Sequence, residues 1–213
     1  MGLYVGSTKY KPIVDGVGYK VVRKLPYDAE VEYLQSSGTQ YIQIPLSVSK
    51  NSYFEVGGVV IALHPNDDKN SIFGASPDDQ FRCTFYSHNS NLGYNTFGSI
   101  VGNASTNGGW GAYIGQKTPF ALSTTFVKYP NVERALSRPL TANITAFRIF
   151  ASYANNNRYP IKFCEFYIKV DDAKVYDLIS VRKGTVGYMY DKVSGQLFGN
   201  AGTGSFILGN DKN

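Results

Sequence analysis

Charge, histidine and cysteine are all scarce in this chain. Only 17% of its 213 residues are charged, and 21 Lys and Arg against 16 Asp and Glu leave a net charge of +5. A mild positive charge without a clustered stripe of Lys and Arg is not the pattern of a nucleic-acid-binding surface. The two histidines, His64 and His88, stand in polar loops and form no zinc-ligand pattern. We therefore expect no nucleic-acid partner.

Long apolar runs are missing as well. No run approaches the roughly 18 apolar residues that a membrane-spanning helix needs. The first residues lack the basic region and apolar stretch of a signal peptide. We expect no membrane insertion and no export by the usual route, so an extracellular role would require release by cell lysis.

Paired carboxylates, which a retaining glycosidase places about 5–5.5 Å apart, have no counterpart in the sequence. None of the five glutamates opens a Glu-x-Asp pattern that would put two carboxylates on one strand face. A phosphate loop, a dinucleotide fingerprint and a Gly-x-Ser-x-Gly elbow are also missing. We expect a protein that is not an enzyme; a Ser-His-Asp triad assembled in space is an alternative that spacing does not test.

Aromatic residues and glycine are plentiful, with 17 Tyr, 13 Phe and 22 Gly. Aromatics favour strands, and Gly favours the tight turns between them. Residues 164–170 alternate between apolar and polar side chains, which is the period of a half-buried strand. About ten to twelve such runs, separated by turn residues, predict an all-β, two-sheet antiparallel sandwich.

Four local features carry more specific predictions. Gly57-Gly58 interrupts an apolar run and predicts a bulge or bend. Residues 131–139 are the one stretch that suggests a helical turn, and Asp171-Asp172 predicts a hairpin turn. Cys83 and Cys164 stand at alternating positions beside aromatic residues and are expected to be small buried side chains rather than a disulfide.

Residues 1–29 differ from residues 30–213, for which we predict the sandwich. Asp15-Gly16 lies between two β-prone runs, and this dipeptide favours a hairpin because both turn positions accept positive φ. A lone hairpin is marginal in water, so we predict that residues 1–29 form an anchoring or oligomerisation segment; an extra pair of strands on the sandwich is the alternative. The predicted attachment residues are Tyr10, Lys11, Tyr19 and Lys20.

Two loop regions contain candidate binding residues. Aromatic side chains in a stretch rich in Asn, Ser and Gly suit contact with a glycan or a protein partner, although they are equally compatible with a satellite core. These candidates are Tyr94, Phe97, Trp110 and Tyr113. Loop carboxylates suit calcium, and the candidates are Asp67, Asp68 and Asp78, whose alternative role is that of ordinary turn residues. We expect no other cofactor.

Four motifs, in this order, resemble those of laminin-G-like (concanavalin A-like) domains common in bacteriophage virion proteins and gut-bacterial surface proteins. They are residues 33–42 (YLQSSGTQYI), residues 72–75 (IFGA), residues 147–151 (FRIFA) and the C-terminal stretch 162–209, with GYMYD at 187–191 and FGNAGTGSF at 198–206. The resemblance implies a jelly-roll sandwich preceded by the N-terminal hairpin segment.

The same resemblance implies a function. It points to a non-enzymatic structural protein of a bacteriophage virion, such as a head fibre, a capsid decoration protein or a tail-associated adhesin. Residues 1–29 would attach to other virion proteins, with a homotrimer favoured, and the sandwich would face the host surface or its glycans. The protein would be located in the virion after assembly in the bacterial cytoplasm. The alternative is a carbohydrate-binding module of a bacterial cell surface.

Overall fold

The fold is seen in a computed structural model, which describes residues 4–5, 8–10, 20–22, 25–62, 70–76, 81–85, 92–96, 99–103, 115–130, 132–135, 140, 142–151 and 161–212. Strands and turns account for these ranges, and none of them contains a helix. No helix in the described part of the chain is long and apolar enough to cross a membrane.

The strands are β1 (Tyr4–Val5), β2 (Thr8–Tyr10), β3 (Lys20–Val22), β4 (Ala29–Glu30), β5 (Leu34–Gln35), β6 (Ile42–Val48), β7 (Phe54–Ala62), β8 (Asn70–Ala75), β9 (Phe81–Phe85), β10 (Leu92–Thr96), β11 (Ser99–Asn103), β12 (Thr118–Ser123), β13 (Phe126–Tyr129), β14 (Val132–Ala135), β15 (Ile144–Ile149), β16 (Ile161–Val170), β17 (Ala173–Lys183), β18 (Val186–Asp191), β19 (Leu197–Phe198) and β20 (Ile207–Leu208).

Two antiparallel sheets form the body of the protein. The smaller has six strands in the order β11-β10-β9-β8-β15-β6. The larger has eleven, with the path β14-β13-β12-β7-β16-β17-β18-β19, while β4 pairs with β17, β5 with β16, and β20 with β5. The chain changes sheet several times between β6 and β16. This arrangement confirms the predicted all-β, two-sheet antiparallel sandwich.

The core lies between the two sheets, and every second residue along a strand faces it. In β6, residues 42, 44, 46 and 48 are buried while the intervening ones are exposed. Phe73 of β8 stacks on Phe147 of β15 with ring centroids 5.2 Å apart, and Phe166 of β16 approaches them at 6.0 and 5.8 Å respectively. Because these rings come from both sheets, their packing holds the two layers together.

Strand β16 contains a β-bulge that sequence alternation did not predict. Phe163 pairs with Val60 of β7 and Glu165 pairs with Val59, so Cys164 is the extra residue. The bulge lets both Phe163 and Phe166 point into the core, where they are 0% and 1% exposed. Cys164 is a buried free thiol, as expected from the sequence, and burial raises its pKa.

Two local predictions were wrong. Gly57-Gly58 lies within the continuous strand β7, whose pairing with β12 runs without a register shift, and the bulge is in β16 instead. The proposed helical turn at 131–139 contains β14, which pairs with β13. A stretch this short gains little as an isolated helical turn, whereas a neighbouring strand satisfies its backbone hydrogen bonds.

The Asp171-Asp172 turn between β16 and β17 is confirmed. Both residues have positive φ, 48° and 64°, as the two central positions of a type I′ hairpin turn require. The Asp171 carboxylate also accepts the backbone N–H of Tyr53 at 2.9 Å, which joins this turn to the start of β7.

The N-terminal strands form a separate three-stranded sheet in the order β1-β2-β3. Strands β2 and β3 are antiparallel, with Tyr10 opposite Lys20, so the flanks of the predicted hairpin pair as expected. The Asp15-Gly16 turn lies outside the described residues, as do Lys11 and Tyr19. The attachment role of this segment therefore stays a prediction.

Replacing Phe166 with alanine tests the aromatic core. The change leaves a cavity between the sheets beside Phe73 and Phe147, so we expect the free energy of unfolding to fall by about 3–5 kcal/mol in urea denaturation. Val193→Ala is the control because this side chain is 55% exposed, and its effect should stay within about 0.5 kcal/mol. Equal, small losses in both variants would contradict this account of the core.

Candidate functional site: a groove on the outer face of the large sheet

Most of the site residues predicted from sequence lie outside the described part of the chain. This applies to Asp67, Asp68, Asp78, Phe97, Trp110 and Tyr113. Tyr94 lies on β10, where its backbone pairs with Cys83 of β9. Within the described residues, no three His, Cys, Asp or Glu side chains gather into a potential metal site. The calcium and loop-glycan assignments stay predictions.

The described residues instead form an open groove of about 490 Å³ on the outer face of the large sheet. This volume is within the usual range for small-ligand sites. Its floor includes Val59 of β7, with Pro119 and Ala121 of β12 beside it. Pro119 is opposite Val59, and Ala121 is opposite Gly57, so the floor is a set of cross-strand neighbours.

The walls of the groove are charged. Lys128 on β13 and the nearby Pro130 form one wall, while Lys174, Asp177 and Lys192 form the other. One carboxylate oxygen of Asp177, Oδ2, lies 3.3 Å from the Lys174 ammonium and 3.1 Å from that of Lys192.

Tyr167 lies across the groove floor because its neighbour on β7 is glycine. A Cβ atom at Gly57 would stand 2.5 Å from both Cζ and Oη of the Tyr167 phenol. At Gly58, a Cβ would stand 2.3 Å from the carbonyl oxygen of Glu165, so this glycine permits the close approach of β16. The two glycines are therefore required for the close packing of β7 against Tyr167 and β16.

Glu55 fixes the Tyr167 ring in this position. Its side chain is nearly buried, and its carboxylate accepts hydrogen bonds from the hydroxyls of Tyr167 and Tyr53, at 2.8 and 2.5 Å, and from the Lys169 ammonium at 3.0 Å. Burial favours the neutral acid, but the three donors outweigh it, so the pKa of Glu55 is lowered. Burial and the hydrogen bond to Glu55 raise the pKa of Tyr53 to about 12.

The Tyr167 hydroxyl is likewise held in its neutral form. Burial first, and then the bond to Glu55, raise its pKa above the usual value. At neutral pH the cluster therefore consists of an ionised carboxylate, two phenol donors and an ammonium. A carboxylate with three donors and a lowered pKa is a weak base, so Glu55 acts as the anchor of the aromatic ring.

No protein-family model matches the chain, and no curated protein sequence matches it. The resemblance to laminin-G-like domains therefore stays a prediction from the quoted motifs.

Two of those motifs meet in space, at a contact that we call the terminal junction (residues 36–41 with 200–204). The Asn200 side-chain oxygen accepts the backbone N–H of Tyr41 at 3.2 Å and that of Gly202 at 2.8 Å. The Thr39 hydroxyl donates to the carbonyl of Thr203 at 2.9 Å. The motif residues thus hold two distant parts of the chain together.

Buried polar side chains complete the first of these motifs. Gln40 is 2% exposed, and its side-chain oxygen accepts the Ser37 backbone N–H at 2.7 Å and the Ser36 hydroxyl at 3.1 Å. This oxygen is satisfied within the fold, so its role is structural.

Asp191 ends the GYMYD motif and organises the turn that follows β18. It is fully buried, and its carboxylate accepts the backbone N–H of Asp177 at 2.8 Å. It also accepts the backbone N–H and the hydroxyl of Ser194, at 2.9 and 2.6 Å. Asp191 therefore fixes the backbone of the first half of β17, from which the Asp177 side chain enters the groove.

Acidification tests the role of Glu55. Because the folded-state pKa of Glu55 lies below its usual value of 4.5, its stabilising contribution is present above about pH 4.5 and is lost as the pH falls through the folded-state pKa. We expect Glu55→Gln to be about 1–3 kcal/mol less stable than the parent protein at neutral pH. The difference should shrink as urea denaturation is repeated toward about pH 3.

The control for this experiment is Glu133→Gln. The Glu133 side chain is 61% exposed in its pair with Lys128, and exposed ion pairs contribute little, so the change should stay below about 1 kcal/mol. If the Glu55→Gln deficit were independent of pH, the ionised carboxylate would not be its cause.

The terminal junction is tested by Gly202→Ala. A Cβ at this position would stand 2.0 Å from the Thr39 carbonyl oxygen, so the two chain segments must move apart. We expect a loss of about 1–3 kcal/mol in the free energy of unfolding. Ser205→Ala, at an exposed position in the same stretch, should change stability by less than about 0.5 kcal/mol. A neutral Gly202→Ala variant would contradict the junction's structural role.

Proposed function

We propose that this protein is a non-enzymatic structural component of a bacteriophage virion, of the head-fibre, capsid-decoration or tail-adhesin type. Residues 1–29 attach it to the particle, and the sandwich presents its outer surface to the host. The observation that supports this proposal is the terminal junction: two of the four motifs that resemble laminin-G-like virion domains, residues 33–42 and 198–206, are hydrogen-bonded to each other, as shared fold determinants would be.

The arrangement of carboxylates supports a binding role rather than catalysis. Glu55 lies opposite Lys169, and Glu165 lies four residues before Lys169 on β16, so the backbones of the two glutamates are about 13 Å apart along the strand direction. Glycosidase carboxylates stand roughly 5–10 Å apart. Asp177, the other groove carboxylate, lies opposite Tyr167 and is therefore a diagonal neighbour of Glu165 across β16 and β17. Its carboxylate is engaged by two lysines, as expected of a structural ion pair rather than of a catalytic acid.

The second candidate function is a carbohydrate-binding module of a bacterial cell surface. The observation that favours it is the Tyr167 ring, held in place on an open groove. An aromatic ring with adjacent polar groups suits a sugar, which presents C–H faces and hydroxyls together. Both candidates use the groove for recognition and differ in where the protein is located.

Particle composition separates the two candidates. Phage particles produced from the genome that encodes this chain should contain it as a stoichiometric protein by mass spectrometry, and antibodies against it should label them in electron micrographs. Capsid and portal genes should lie nearby. Labelling of the bacterial envelope with none on particles, together with neighbouring polysaccharide-utilisation genes, would instead establish the surface module.

The attachment role of residues 1–29 is tested by deleting residues 1–28. The intact chain has a mass of 23.5 kDa, so a homotrimer should have a mass of about 70 kDa by light scattering. We expect the truncated protein to be monomeric and to be lost from particles. Unchanged assembly and unchanged incorporation would show that the segment is simply part of the sandwich.

The absence of catalysis is tested by incubating the protein with bacterial polysaccharides and measuring reducing ends. We expect no release above background. Release that disappears in Glu165→Gln, whose side chain lines the groove, would contradict the non-enzymatic proposal and identify a hydrolase.

A further inference from the structure

The wall of the groove beside β17 carries more positive than negative charge. The Lys174 and Lys192 ammoniums both pair with Asp177, and their side chains are 44% and 46% exposed. Each ammonium has three N–H donors, so the shared carboxylate leaves donors free to point into the groove. An incoming anion could therefore bind the Lys174 and Lys192 ammoniums while both still contact Asp177, so no ion pair would have to break.

The opposite wall adds a third cation. Lys128 pairs with Glu133 at 3.0 Å, and both side chains are more than half exposed. An exposed pair of this kind contributes little stability, so it costs little for Lys128 to turn toward a ligand. Three lysines therefore line the groove against two carboxylates, Asp177 and Glu165. Glu133, the partner of Lys128, balances the remaining charge, so the groove suits a ligand with one negative charge more than a polyanion.

Between these walls the groove offers a surface of apolar and aromatic groups. Val59 and Pro119 form part of the floor, and Tyr167 is held across it by the hydrogen bond to Glu55. The Lys174 ammonium lies 5.5 Å from the centre of the Tyr167 ring. The Lys169 ammonium also lies over this ring, 5.3 Å from its centre. A ligand that has an apolar face next to an anionic group would therefore meet cations at the aromatic ring itself, and Lys174 would move from the ring to the anion.

We propose that this groove binds an anionic saccharide, with a sugar ring against Tyr167 and Val59 and its carboxylate or phosphate held by Lys174 and Lys192. The Glu165 carboxylate accepts hydrogen bonds from sugar hydroxyls. This inference rests on the proposed function, since it specifies what a recognition protein of this kind contacts on a cell surface.

Calorimetric titration of the full chain tests the ligand class. The probes are a disaccharide with one glucuronic acid, a disaccharide phosphate, a neutral disaccharide of the same size, and inorganic phosphate. We expect the two anionic sugars to bind at least about tenfold more tightly than either the neutral sugar or phosphate alone. Equal binding of the neutral sugar, equal binding of inorganic phosphate, or no binding of the anionic sugars would each overturn the proposal.

Matched variants test the location. Lys174→Gln with Lys192→Gln should weaken binding of the anionic sugars at least about tenfold. The control, Lys50→Gln with Lys183→Gln, removes the same charge from exposed positions that do not line the groove, and should change binding less than about twofold. If both double variants lose the same affinity, the effect comes from the overall charge of the protein, and the groove is not the binding site.

Lys128→Gln provides an independent test from the opposite wall and should weaken binding by a smaller factor than the double variant. If neither groove variant weakens binding, the ligand binds elsewhere on the protein and the proposed site is wrong. Because neither variant alters residues 1–29, incorporation into particles should be unchanged. Particles that contain the protein while it binds no anionic sugar would overturn this inference and leave the virion proposal intact.

Discussion

The pairing of β16 with β7 is the constraint on which both faces of the large sheet depend. The bulge at Cys164 shifts the register so that Phe163 and Phe166 both enter the core. On the other side of the same strand, Tyr167 then lies over Gly57. A single extra residue in one strand thus increases the buried aromatic surface between the sheets and places an aromatic ring on the outer surface.

The two buried carboxylates among the described residues have structural roles. Asp191 shapes the turn after β18, and Glu55 holds a tyrosine in place. Each has several donors, which offset the cost of removing an ionised group from water. The residues of the quoted motifs have a similar structural role at the terminal junction, so they identify an architecture. The exposed groove residues Glu165, Lys174 and Lys192 lie in the C-terminal stretch 162–209 but outside its GYMYD and FGNAGTGSF segments, and these are the side chains that a ligand in the groove would meet.

Local chemistry explains which expectations from sequence were correct. The Asp171-Asp172 turn is set by two adjacent residues that tolerate positive φ. The burial of Cys164 follows from its apolar neighbours. The expectations that failed required knowledge of a partner strand. Residues 132–135 form a strand because β13 is beside them, and Gly57 is needed because Tyr167 lies opposite.

The sequence by itself determined the fold class, because the alternation of apolar and polar residues decides which side chains can face a core, and turn residues decide where strands end. Only the tertiary structure decided the groove. Tyr167 and Lys169 meet Glu55 across 112 and 114 residues of chain, and that meeting depends on strand order and register. Register depends on two strands together. A one-residue bulge changes the register, but it cannot be recognised from the apolar–polar pattern of either strand alone.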